Sequence, residues 1–264
     1  MKGLFNVFRA PAIENVSMDG GDRMDAHSQV LSQKTMLRDV FTEFHVLFDK
    51  LDRKYFDAPG LRIELGAGVA PMKSSYPDVL ATDVVPGPSI DMVLDAENMN
   101  LDAASVRAIF GQNCFHHFPH PENFFRELHR VLAPGGGAIL LEPYYGPLAS
   151  FLYKRLFSTE SFEKEHPSWD MPDATAMEGA NQALSYIVFN RDRSIFENQF
   201  PDLKIVHQET CGNYMKYLLS GGLNFRQLCP DWSVPLVSLC QRMLSPANSL
   251  LALHHVIVLR KEPK

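Results

Sequence analysis

From Leu37 onward apolar residues recur at helical spacing: Leu37, Val40, Phe41, Phe44, Leu47, Phe48, Leu51 and Tyr55. Steps of three and four place them on one face of a helix. Pro59-Gly60 is a standard stop, so the predicted amphipathic helix ends before it. Ahead of it, residues 1–25 carry Pro11, the turn pair Gly20-Gly21 and scattered charges, and read as weakly structured. Beyond Gly60 short apolar runs replace the helical period, at residues 61–65, 79–83, 90–95, 106–113 and 138–142. Between the last two, residues 121–132 predict a helix. Pro121 suits its first turn, Glu122 complements the dipole, and Phe124, Phe125, Leu128, Val131 and Leu132 form its apolar face. The run Ala133-Pro134-Gly135-Gly136-Gly137 ends that helix.

Short apolar strands alternating with helices imply an α/β fold with a parallel sheet covered on both faces. Ligands in such sheets bind beyond the carboxyl ends of the strands. Glu64 to Gly68, Asp83, Asp95 and Asn113 to His117 all fall at predicted strand C-terminal ends. After Glu142 the rhythm breaks. Residues 143–200 are rich in aromatics, prolines and charges without a clear strand, and two more strands are predicted at 203–209 and 254–260. The expected organisation is an N-terminal helical extension over 1–58 and an α/β domain over 59–264. An insert at about 144–200 covers the pocket.

The chain has 264 residues, 45% of them hydrophobic, enough for one large α/β domain with additions. Its formal net charge of -6 disfavours a nucleic-acid binder that works by phosphate neutralisation. The four cysteines form no CxxC pair and no zinc-spaced cluster, so no metal is expected and buried, reduced thiols are. The N-terminus lacks a sustained signal-peptide core, and no apolar run reaches spanning length. The expected location is cytoplasmic.

The loop Gly66-Ala67-Gly68-Val69-Ala70-Pro71 follows the first strand. Glycines at a strand-to-helix turn admit strained angles and close ligand approach. A dinucleotide fingerprint requires GxGxxG, and Pro71 stands at its last position with no N–H to offer a pyrophosphate. A plain tight turn also accounts for the glycines. Asp83 lies 19 residues after Glu64 at the end of the next strand. There a carboxylate grips ribose hydroxyls, or alternatively caps a turn. Asp95, with Ala96 and Glu97, either accepts from an adenine amino group or caps in the same way.

These pieces resemble the class I S-adenosylmethionine-dependent methyltransferases, specifically the type-11-like group. Ile63 to Gly68 is similar to the family's first motif, Ala81-Thr82-Asp83 to its acidic second, and Leu94 to Glu97 to its adenine-side motif. Phe115-His116-His117-Phe118, followed by Glu127 to Gly136, is similar to its hallmark after the fourth strand. The resemblance covers about a third of the chain, residues 61–143. It implies a Rossmann-like seven-stranded sheet in order 3-2-1-4-5-7-6 with the last strand antiparallel, and S-adenosyl-L-methionine as cofactor. It further implies that Glu64, Gly66, Ala67, Gly68, Asp83, Asp95, Ala96 and Asn113 bind that cofactor. Two positions depart from the family. Ala70 replaces a third glycine, and Arg107 stands near an absent aspartate of the fourth strand, a position read as structural.

Methyl transfer needs an aligned acceptor and a dry site. A hydroxyl acceptor also needs a base, and His116 or His117 is suited to that by an imidazole pKa near neutrality. Packing on Phe115 and Phe118 is the structural alternative for both. Glu142, Tyr144 and Tyr145 are further candidates for acceptor contact. The expected acceptor is a small molecule, in particular a saccharide or a lipid-linked intermediate. Residues 146–157, 214–219 and 235–244 are apolar enough to cover the pocket or to lie on a membrane surface, with cover as the expected role. Trp169 and Trp232 are expected in the core rather than stacked on a sugar. An NAD-type Rossmann oxidoreductase and a non-catalytic cofactor-fold binding protein are the competing readings.

Overall fold

A computed structural model describes residues 9–13, 16, 22–69, 71–155, 160–172 and 179–263. Ala70, the Gly20-Gly21 pair and Phe157 lie outside the described residues. Seven strands form one sheet in the order β3-β2-β1-β4-β5-β7-β6. They are β1 (Leu61–Leu65), β2 (Val79–Asp83), β3 (Met92–Val93), β4 (Val106–Gln112), β5 (Leu132–Pro143), β6 (Leu203–Thr210) and β7 (His254–Lys261). All neighbours from β3 to β5 are parallel, and β7 runs antiparallel to both β5 and β6.

Both faces of the sheet are apolar, and the period of two divides them. Ala108, Phe110, Ile139, Leu141, Val256 and Val258 face one core. Helix α2 (Thr35–Tyr55) covers it with Leu37, Val40, Phe44, Phe48 and Leu51, the face predicted from periodicity. Ile109, Ala138, Leu140, Ile257 and Leu259 face the other, covered by α3 (Pro121–Val131) through Phe124, Phe125 and Leu128, and by Phe189 and Phe196 from the insert.

Four expectations need correction. Residues 1–25 were expected to be weakly structured, yet α1 spans Arg23–Ser32. Its buried face includes Arg23 and His27 beside Met24, Ala26 and Val30, so polar burial hides it from a hydrophobic count. The third strand shrinks from 90–95 to two residues, Met92–Val93, and beside it the Asp91 carboxylate takes the Ala81 N–H at 2.9 Å while the Asp91 N–H donates to the Ala81 carbonyl at 2.8 Å. The fifth strand begins at Leu132, not Ala138. Gly137 enters the ladder opposite Arg260, where a Cβ would stand 2.1 Å from the Leu259 carbonyl oxygen, so the glycine run serves pairing as well as helix termination. Finally, the chain between β1 and β2 is a single 3-10 turn, Met72–Ser74, that starts after an extended Pro71.

The insert contains helices and a non-helical stretch over 160–172, where Ser161 bridges to Asn181. Helix α4 (Pro147–Arg155) buries Ala149, Leu152 and Tyr153, and α5 (Arg193–Gln199) buries Phe196. Beyond β6 lie α6 (Tyr214–Ser220) and α7 (Val234–Met243). Trp169 packs in the core and donates to Asp192 at 2.9 Å. Trp232 does not: it is 80% exposed, and with Leu236, Leu239 and Met243 it forms an outward apolar stripe at helical spacing. No described helix is long and apolar enough to cross a membrane.

Arg107 has the structural role read for it. It ties the end of α2 to the sheet through Asp52 at 2.9 Å and the carbonyls of Phe56 and Ala58.

Candidate functional site

A cavity of about 1230 Å³ opens at the carboxyl ends of β1, β2, β4 and β5. Glu64, Gly66, Ala67, Gly68, Asp83, Asp95, Ala96, Asn113, His116 and His117 all line it. The sequence placed these residues at strand ends, and the parallel sheet brings those ends together.

The glycine loop turns as its composition requires. Gly66 has φ +63°, and a Cβ there would stand 3.0 Å from the Cys114 Cβ. The Ala67 N–H donates to the Thr82 carbonyl at 2.9 Å, and the Gly68 N–H to the Asp83 carboxylate at 3.2 Å. Asp83 also accepts the Val85 N–H at 3.0 Å. One carboxylate thus holds the loop while keeping further lone pairs for a ligand. Glu64 is buried and accepts the Met72 N–H at 2.6 Å, which anchors the turn after the loop. Burial pushes its carboxyl up to about 8. The Met72 hydrogen bond opposes that rise, and the charge of Asp83 adds to it.

Asp95 is exposed and accepts the Glu97 N–H at 2.8 Å, while Ala96 beside it is buried. Asn113 has φ +50°, and its N–H donates to the Leu141 carbonyl at 2.8 Å. Its side-chain Nδ2 lies 3.4 Å from His254 Nε2, and its Oδ1 is buried without a partner among the described residues. A buried acceptor left open in a cavity suits a ligand donor.

Glu142 organises the next turn. One oxygen accepts the N–H groups of Cys114 and Phe115 at 3.1 and 2.9 Å, and the other lies 2.6 Å from His116 Nδ1. This bond leaves His116 Nε2 facing Glu160 at 3.4 Å, with His117 Nε2 3.8 Å from the same carboxylate. Burial pulls the His116 pKa down, but Glu142 and Glu160 outweigh it and hold the imidazolium up to about 10. Burial pushes Glu160 up, yet its hydrogen bond to His116 and the charges of both histidines leave it below the usual range. Burial and the charge of His116 lower His254 to about 3. His116, His117 and Glu160 offer ligand atoms within 4.8 Å of one another, a spacing able to hold a metal ion, although no metal was expected.

Tyr144 and Tyr145, expected at this rim, pack on His255 and Tyr186. Glu160, His254, Tyr217 and three arginines line the cavity without having been read from the sequence. They come from the insert, the last strand and segments near the two ends of the chain, with no motif to mark them.

Residues 69–140 match the family model described as a methyltransferase domain. That segment begins just after the glycine loop and runs through β2, the His116-His117 turn, α3 and into β5. The sheet order is the one the family resemblance implied. Over those residues the chain is similar to the methyltransferase domain, and its sheet is the Rossmann-like fold of the class I methyltransferases. The chain is similar in fold to geranyl diphosphate C-methyltransferase from Streptomyces coelicolor A3(2), solved with Mg2+, geranyl diphosphate and S-adenosyl-L-homocysteine. The identity is 11%, over 96% of this chain and 89% of that one, with a TM-score of 0.52. It is also similar to phosphoethanolamine N-methyltransferase 2 from Haemonchus contortus in complex with S-adenosyl-L-methionine. There the identity is 11%, over 95% of this chain and 61% of that one, with a TM-score of 0.50. No curated protein matches the chain in sequence.

Proposed function

We propose that the protein transfers the methyl group of S-adenosyl-L-methionine to a small-molecule acceptor. One observation carries this reading: a single cavity joins the glycine loop and the acids that follow it to the His116-His117-Glu160 cluster. The residues present suit the cofactor. Asp83 offers acceptor lone pairs to a ribose diol and Asp95 to an adenine amino group. The open Asn113 Oδ1 suits the ammonium of the methionine end, and the acids favour a cationic sulfonium. When bound, the cofactor supplies an electrophilic methyl group.

The chain's own residues then hold the acceptor. Because two carboxylates keep His116 cationic near neutral pH, it serves as a hydrogen-bond donor and fixes Glu160 rather than acting as a base. Glu160 and His117 are the groups placed to take an acceptor proton. The cavity exceeds the roughly 300–1,000 Å³ of a single small-ligand pocket, which leaves room for an acceptor beside the cofactor. Its apolar lining from Phe41, Leu218, Leu223 and Phe225 favours the lipid-linked class over a bare saccharide.

Calorimetric titration with S-adenosylhomocysteine tests the cofactor assignment. Asp83→Ala is expected to weaken binding about 10- to 100-fold, the loss of about 1.5–3 kcal/mol from hydrogen bonds to a charged group. Unchanged affinity in that variant, or binding of NAD in preference, would overturn the reading.

A further inference from the structure

Arg9, Arg23 and Arg226 line the same cavity, although they come from three distant stretches of chain. Backbone and side-chain bonds join them into one patch. Arg9 pairs with Phe225 in a short antiparallel bridge, and its carbonyl accepts Arg226 Nε at 3.2 Å. The Ala10 N–H donates to the Asn224 carbonyl at 3.0 Å, and Asn224 Oδ1 lies 3.3 Å from His27 Nε2. Arg23 is one turn before His27 on α1. Burial, aided by the Arg23 charge and opposed by the Asn224 bond, lowers His27 to about 4.

Among the described residues these cavity arginines lack a counter-charge. Arg62, Arg107, Arg130 and Arg191 each meet a carboxylate within 3 Å. Among the described residues none of the three cavity arginines does, and Arg23 is only 8% exposed. A buried cation without a partner is costly, and an arriving anion removes that cost. The wall is also pre-formed. Lys34, itself buried, donates from Nζ to the carbonyls of Gly222 and Phe225, which clamps the turn that carries Asn224 and Arg226. Guanidinium groups match phosphate oxygens in paired geometry. Phe41, Leu218 and Leu223 supply apolar surface in the same cavity.

We propose that this arginine wall receives the phosphate of an amphiphilic methyl acceptor, a phosphate ester on an apolar body. The proposal rests on the methyl-transfer reading for what happens next, but the anion site stands on its own residues.

The full chain, saturated with S-adenosylhomocysteine, is titrated calorimetrically with decyl phosphate, inorganic phosphate and decanol. Decyl phosphate is expected to bind about tenfold or more tightly than either half alone. Arg23→Gln and Arg226→Gln should each weaken it about 10- to 100-fold and leave S-adenosylhomocysteine affinity within about twofold. Arg226 is exposed, so its variant keeps the test alive if Arg23→Gln melts early by circular dichroism. Equal binding of inorganic phosphate overturns the apolar half of the proposal. Unaltered decyl phosphate binding in both variants overturns the whole, as does a loss that falls on S-adenosylhomocysteine instead, which would assign the arginines to the cofactor's carboxylate. If the wild type binds decyl phosphate but not S-adenosylhomocysteine, the methyl-transfer reading fails while the anion site stands.

Discussion

The two walls of the cavity are built by different rules. The wall proposed for the cofactor comes from one stretch of about fifty residues, Glu64 to His117, in which the lining positions lie at or shortly beyond strand ends. It is acidic, with Glu64, Asp83 and Asp95. The acceptor-side wall is assembled from Arg9, Arg23, Glu160 and Arg226, four positions with no common local pattern, and most of its charge is basic. A fold repeats the first kind of wall wherever parallel strands end. The second kind depends on which added segments reach the opening. The family match over residues 69–140 therefore speaks to the first wall and passes over the second.

Glu142 is where the comparison is easiest to break, because it supports the turn between the walls. Glu142→Ala leaves two buried N–H groups and the His116 imidazolium without their acceptor. Loss of one partner of a buried ion pair costs about 3–5 kcal/mol, so a drop of that size is expected in urea denaturation. Glu142→Gln keeps the shape and should lower the titration point of His116 from about 10, followed by its imidazole resonance in NMR. The His116 contribution to stability is complete below its ordinary pKa near 6.5 and fades as pH rises through about 10. A variant that melts like wild type and titrates at the same pH would show that Glu142 does not hold the turn.

Glu64 gives a smaller effect, confined to the cofactor side. Its folded pKa of about 8 lies above the ordinary 4.5, so the folded state keeps a proton that the unfolded chain gives up. That contribution is full below about 4.5 and is lost as pH climbs through about 8. Glu64→Gln stays neutral throughout. Relative to wild type, the ligand-free variant should gain stability progressively between about pH 5 and 8. Parallel stability curves for the two proteins across that range would contradict the buried, proton-holding Glu64.

The smallest effect is expected far from both walls. Leu239 is 54% exposed on α7, in the stripe with Trp232, Leu236 and Met243. Leu239→Gln should change stability by no more than about 0.5 kcal/mol, as is usual for surface sites. A larger loss in thermal melts would mean that the stripe is covered in solution.

Legibility followed the same divide. The helical period of Leu37 to Tyr55 marked α2 because its apolar residues recur without a break, even though His45, Asp49 and Asp52 are buried among them. Helix α1 escaped notice because it buries an arginine and a histidine, and the histidine's burial is explained only by its contact with Asn224. Trp232 was misplaced for the converse reason: a large aromatic predicts burial on average, and α7 turns its stripe outward. His116 was read as a base from its ordinary pKa. Two carboxylates, one of them from the insert, hold its pKa up to about 10, which no local pattern in the sequence shows.

By itself the sequence determined the α/β rhythm, the strand ends and the acids and glycines of the cofactor loop, because strand pattern and turn chemistry are local properties. Tertiary structure alone decided the two carboxylates beside His116, the one of them that it shares with His117, and the gathering of Arg9, Arg23 and Arg226. Burial and electrostatic neighbours are sums over distant chain segments, and no local pattern carries them.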